Sequence, residues 1–129
     1  MIFALSLYAQ DYTLKLYEEI LGALSSRFPI VVYADGQSSQ ILEKSSNFKV
    51  VHFCNENVEF LVGSSFGSLS SLCKKKPLFA TTHRAYHKYS NAFGAFYWTK
   101  GRPQIHFNKE LLERFDLHLP ENLQRFADE

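Results

Sequence analysis

The sequence is short of several features that would narrow its class at once. It has only two cysteines, Cys54 and Cys73, in 129 residues. That excludes a multi-bridge disulfide framework, and their spacing fits neither a zinc site nor a redox motif. Buried, reduced thiols are the expectation. No apolar run is long enough to span a bilayer, and the opening MIFALSLYAQD lacks the positive stretch of a secretion signal. A cytoplasmic protein with no membrane contact is therefore expected. From Phe60 to Lys109 there is no acidic residue, against eight Lys or Arg. Residues 1–59 hold seven acids and four bases, and residues 110–129 hold six acids and two bases. A net charge of +1 gives no general drive toward nucleic acid, so this asymmetry points to a local anion site. No His, Cys, Asp or Glu spacing fits a metal, and no cofactor motif is present; neither a metal nor a cofactor is expected.

What is present is apolar and aromatic: 46% hydrophobic residues, with 12 Phe and 7 Tyr. Residues 1–129 make one domain with a core large enough to fold alone. Ile2 to Ala9 is nearly continuous in apolar residues and reads as a buried strand. From Tyr12, the residues Leu14, Tyr17, Leu21, Leu24 and Phe28 recur at helical spacing, and Pro29 stops that helix. Strands are predicted over 30–33, 49–53, 58–62 and 78–81, with helices over 37–45 and from Phe66 to Cys73. This alternation predicts an α/β fold: a single Rossmann-like domain whose mainly parallel sheet has about five strands, with helices on both faces. A hairpin around Lys100–Gly101 and a helix capped by Asn108 form a C-terminal extension.

The apolar run Phe60–Val62 ends at Gly63, Ser64 and Ser65, a turn at the carboxyl end of a strand. There Gly63, Ser64, Ser65 and Phe66 are candidates to cradle an anion through hydroxyls and backbone N–H groups. Serine capping alone also explains the turn. Arg84 and Lys88, beside His83 and His87, follow the next strand and would lie along the same edge, where an arginine can grip a phosphate in two-pronged fashion. Lys74, Lys75 and Lys76 suit the end of a helix. Asp35 could accept a sugar hydroxyl, although Asp before Gly also makes an ordinary turn. The pattern Gly63-Ser64-Ser65-Phe66-Gly67 matches a nucleophile elbow with Ser65 as nucleophile. The rest of a hydrolase is missing, since Asp116 and His118 stand too close together to serve as acid and base from separate loops. His52 and His106 alternate with apolar neighbours and read as structural. A different class of function, an interaction protein without a ligand, would use Tyr86, Tyr89, Phe93, Phe96, Tyr97 and Trp98 as its surface.

These motifs together resemble the C-terminal, nucleotide-sugar-binding half of GT-B glycosyltransferases related to the fucosyltransferases. Gly63-Ser64-Ser65-Phe66-Gly67 stands where that family has S-x-S-S-F-S, and Ser70-Ser71 where it often has alanines. Tyr33-Ala34-Asp35-Gly36 is similar to its S-D-D turn, and Asp11-Tyr12 falls at the end of its H-x-R-x-G-D motif. The resemblance covers residues 3–82. It implies a binding domain for a nucleotide or nucleotide sugar, with the diphosphate on the serine turn. Ser6 and Tyr8 occupy the family's His and Arg positions, so the phosphate-binding arginine of that motif is absent. Transfer in this family uses a cleft between two domains, so activity would need a partner chain, a second protein or a further copy.

Overall fold

The computed structural model describes residues 7–128. Helix α1 (Leu7–Leu24) leads into β1 (Ile30–Ala34), α2 (Gly36–Leu42), β2 (Phe48–Val51), β3 (Phe60–Gly63) and β4 (Leu78–Ala80). Then come α3 (His83–Lys88), β5 (Ala92–Thr99), β6 (Arg102–Asn108), α4 (Lys109–Arg114) and a two-residue β7 (Ala127–Asp128). Short 3₁₀ turns lie at Cys73–Lys75 and Glu121–Phe126. The expected first strand is corrected in part: Leu7, Tyr8 and Ala9 belong to α1, and residues 2–6 lie outside the described region. Phe28, expected on the buried face of that helix, lies beyond its end and is 74% exposed.

The architecture is α/β, as expected, but the sheet has seven strands in the order β2-β1-β3-β4-β5-β6-β7. The first five are mutually parallel and β6 runs antiparallel to β5. The chain moves outward from β1 to β2, then returns across β1 to β3. A doubly wound sheet thus reverses direction between β1 and β3, and the loops leaving their carboxyl ends diverge there.

Alternation along the strands gives the sheet two unlike faces. Val32, Phe60, Val62, Phe79, Phe93 and Phe107 pack with Tyr17, Ile20 and Leu21 of α1, Leu42 of α2 and Leu111 and Leu112 of α4. Leu61, Leu78, Ala80, Ala92 and Ala95 face the other way, with Cys73 and Ala85 of α3. Large aromatic side chains therefore fill one layer and small ones let α3 and the loops lie close on the other. Phe93 and Phe96 share the aromatic face despite their spacing because the β4–β5 register shifts at Leu78/Phe79. At the crowded β5–β6 contact, a Cβ on Gly94 would stand 2.7 Å from Phe107.

Two expectations fail on the small-residue face. Residues 66–72 form no helix; the serine turn is followed by irregular chain up to Cys73. Gly67, Ser68, Ser70 and Ser71 supply poor helix formers, and Gly67 adopts a φ of 65°. Cys54 and Cys73 are not thiols but a disulfide, with Cα atoms 6.4 Å apart. The bridge joins the β2–β3 loop to the segment before β4. The expectation of buried, reduced thiols is therefore corrected. Lys76 reinforces the same tie by donating to the Glu56 and Val58 carbonyls. Desolvation, then the Arg27 charge, lowers its pKa against the opposing pull of Glu56. No helix among the described residues is long and apolar enough to cross a membrane.

Candidate functional site

The reversal point between β1 and β3 is closed by one side chain. Asp35, just past β1, accepts from Ser38 N at 2.9 Å, which caps α2, and from Ser64 N at 2.8 Å and Ser65 N at 3.2 Å, just past β3. The next N–H, that of Phe66, donates to the Tyr89 hydroxyl at 3.2 Å. All three successive N–H groups of the serine turn are thus engaged by the protein's own oxygens. The anion in this nest is a carboxylate supplied from 29 residues away. Gly63 makes the approach possible: its φ is 152°, and a Cβ there would stand 2.6 Å from the Asp35 carboxyl and 2.9 Å from the Phe66 ring. Phe66 is fixed in turn between Tyr33 and Tyr89.

Ser65 sits exposed in this turn with no helix behind it, so the strand-turn-helix context of a nucleophile elbow is not met. Asp116 and His118 pair with each other at 3.0 Å on the exposed C-terminal segment. The aromatic interaction surface is also reduced, because Phe93 and Phe96 lie in the core at 0% and 2% exposure.

Beside the turn, the carboxyl edge of the sheet is hollow. A cleft of about 570 Å³ is walled by α1 through Thr13 and Tyr17, by the start of α2 through Gln37 and Ser38, by Ser64, by residues 81–84 after β4, and by residues 96–99 of β5. A second hollow of about 420 Å³ is lined by Ser64, Thr82, Arg84, Ala85 and Lys88. Ser64, Thr82 and Arg84 line both, so the two hollows adjoin along one edge, one aromatic and hydroxyl-rich and the other basic. The structure therefore places Ser64, Arg84 and Lys88 around one hollow. It holds Asp35 behind them as the pin of the turn, and gives the Ser65 and Phe66 N–H groups other partners.

Local chemistry explains why these walls keep their shape. Thr82 caps α3 by accepting from Ala85 N at 3.0 Å, which turns Arg84 and Lys88 toward the edge after β4. Lys88 lies over the Tyr89 ring at 5.2 Å. The Thr13 hydroxyl donates to the Ala9 carbonyl and accepts from Trp98 Nε1, linking α1 to β5 across the cleft floor. Tyr17 is 2% exposed, edge-on to Phe79 and Phe96. Burial first, and the Asp35 charge second, push its phenol pKa well above the ordinary value. It stays a neutral hydroxyl at any physiological pH. Of these, Thr13, Tyr17, Thr82 and Trp98 carry no motif; only their placement by α1 and β5 makes them cleft residues.

The sequence matches no known protein family and no curated protein. Among solved structures, the fold is similar to that of a conserved domain protein from Vibrio cholerae O1 biovar El Tor, with a TM-score of 0.61 at 13% sequence identity. The match covers 92% of this chain, which spans 58% of that one. At this identity the likeness is one of fold alone.

Proposed function

We propose that the groove at the carboxyl edge binds a nucleotide or nucleotide sugar, with its phosphates over Arg84 and Lys88 and its base or sugar in the aromatic part. The observation that carries this reading is that Ser64, Thr82 and Arg84 line both hollows, which sets a basic pocket directly beside an aromatic one. The chemistry is complementary at both ends. Two cations face the basic pocket from a stretch of fifty residues that contains no acid. The larger pocket offers hydroxyls from Ser64, Thr81 and Thr99 beside the rings of Tyr97 and Trp98, a lining suited to a polar ring with hydroxyl substituents. Its volume falls within the range of small-molecule sites. The resemblance to half of a GT-B glycosyltransferase supports the same ligand class, and glycosyl transfer would need a second domain across the groove.

In this reading the phosphate rests on side chains and not on the serine-turn backbone, whose N–H groups belong to Asp35 and Tyr89. A thermal-shift screen against inorganic phosphate, nucleoside mono- and diphosphates and nucleotide sugars tests it. A ligand held at about a hundred times its Kd adds about 2.7 kcal/mol to the folded state. Arg84→Ala should abolish that shift while leaving the unliganded melting temperature unchanged, because Arg84 is exposed. No shift with any compound, or an equal shift in Arg84→Ala, overturns the proposal.

A further inference from the structure

His83 and His87 stand one turn apart on α3, and their Nε2 atoms converge to 3.1 Å. Two imidazoles so close need something between them: a single shared N–H proton, or a metal ion in that proton's place. Two imidazolium rings would repel. The fifty residues from Phe60 to Lys109 that carry both histidines contain no acidic residue. Two imidazole nitrogens converging this closely form a donor pair that a metal ion can take.

We propose that His83 and His87 form a two-histidine chelate for a divalent transition metal ion of the copper, nickel and zinc class, at the rim of the groove. The separation fits. With each nitrogen about 2.0–2.1 Å from the ion, a 3.1 Å spacing closes an N–metal–N angle of roughly 100°. That lies near adjacent positions of a square or octahedral set and within reach of a tetrahedral one. The rings are also braced: His83 meets the Tyr97 ring edge-on at 5.9 Å, and His87 meets Tyr86 at 5.3 Å. Bracing lowers the ordering cost of chelation. No free thiol competes, because both cysteines are in the disulfide. Among the described residues no third His, Cys, Asp or Glu completes a set, so the other positions fall to water or to an anionic ligand. His83 lines the groove itself, which places those open positions where a bound anion could take them. The chelate does not depend on the nucleotide reading.

Isothermal titration of Cu²⁺ into the whole chain, in a weakly coordinating buffer, tests it together with the electron paramagnetic resonance of the bound ion. The expected result is one Cu²⁺ per chain with hyperfine coupling to two imidazole nitrogens. His83→Ala and His87→Ala should each weaken binding by about tenfold or more through loss of the second donor. His118→Ala, on the exposed C-terminal segment, should leave it unchanged. Both helix histidines are exposed, so unchanged apo melting temperatures would confirm that the variants fold. A His87→Ala protein that binds Cu²⁺ as tightly as the native chain, or a signal with a single imidazole nitrogen, overturns the proposal.

Discussion

Replacing Asp35 separates the two tasks of one carboxylate. One oxygen caps α2 through Ser38 N, and the other accepts from Ser64 N and Ser65 N. Asp35→Ala removes the cap, worth about 1 kcal/mol. It also removes two bonds to a charged acceptor. Ser65 is exposed and its N–H can turn to water, while Ser64 is half-buried, so the second loss falls mainly on Ser64 and comes to about 1.5–2 kcal/mol. The sum is about 2.5–3 kcal/mol. Asp35→Asn keeps an oxygen for Ser38 but turns an NH₂ group toward the serine turn, so it should lose only the second share. Urea unfolding followed by circular dichroism measures both, and the midpoint should fall in the order native, Asn, Ala with an unchanged slope. Removing the carboxylate also leaves an open nest of N–H groups. Sulfate at tens of millimolar should therefore restore part of the stability of Asp35→Ala and do little for the native protein. Equal stabilities for all three proteins would refute the view that Asp35 holds the β1 and β3 ends together.

Three further perturbations bear on the same framework. Gly63→Ala should cost about 2 kcal/mol or more in urea, because φ is 152° and the new Cβ meets the Asp35 carboxyl. Gly67→Ala, at φ 65° with nothing within 4 Å, should cost about 1 kcal/mol; equal losses would mean that the close approach is not what matters. Cys54→Ser opens a loop of sequence separation 19 and should lower stability by about 3 kcal/mol. A reductant should reproduce that loss in the native protein and have no effect on the variant. Tyr17 ionises near 10.0 once unfolded, but its pKa is raised in the fold, so its contribution is complete below pH 10 and declines above it. The decline is about 1.4 kcal/mol per pH unit until the folded group ionises. Tyr17→Phe should flatten the alkaline limb of the stability curve, and an identical limb in both proteins would remove Tyr17 as its source.

What could be read from the sequence, and what could not, divides by the range of the interaction. The apolar runs at 30–33 and 58–62 and the Asn108 cap are local patterns, and strands at Ile30–Ala34 and Phe60–Gly63 and a helix from Lys109 stand within a residue or two of where those patterns put them. Arg84 and Lys88 follow a strand whose carboxyl end shares the serine turn's edge in a parallel sheet, so their placement along that edge was legible. The segment from Phe66 to Leu72 was not. Its apolar residues have helical spacing, but its glycine and serines favour other conformations. Its entry is fixed by bonds to Asp35 and Tyr89, 29 and 23 residues away, which no local pattern encodes. The disulfide is of the same kind, since two cysteines 19 apart acquire a bond only when β3 brings their loops together.

That same distinction relocates the candidate site. A glycine-serine turn after a strand attracts an anion because its N–H groups point outward together, and here they are all met by side-chain oxygens. The turn is still served by an anion, but one built into the chain, so its work is to hold the sheet edge rigid. Rigidity at this point has a consequence for binding. Ser64 is pinned between β3 and Asp35, and Thr82 is pinned by its cap on α3, so the wall common to the two pockets is set before any ligand arrives. Arg84 and Lys88 are exposed on that fixed base, free to close on a phosphate without moving the backbone. In the proposed nucleotide reading the charge contribution is concentrated in side chains. Loss of Arg84 should then weaken a nucleotide far more than loss of the Ser65 hydroxyl, whose residue serves the turn through its backbone. Comparable losses in Arg84→Ala and Ser65→Ala, measured by titration with the same nucleoside diphosphate, would return the phosphate to the turn and displace the groove as its seat.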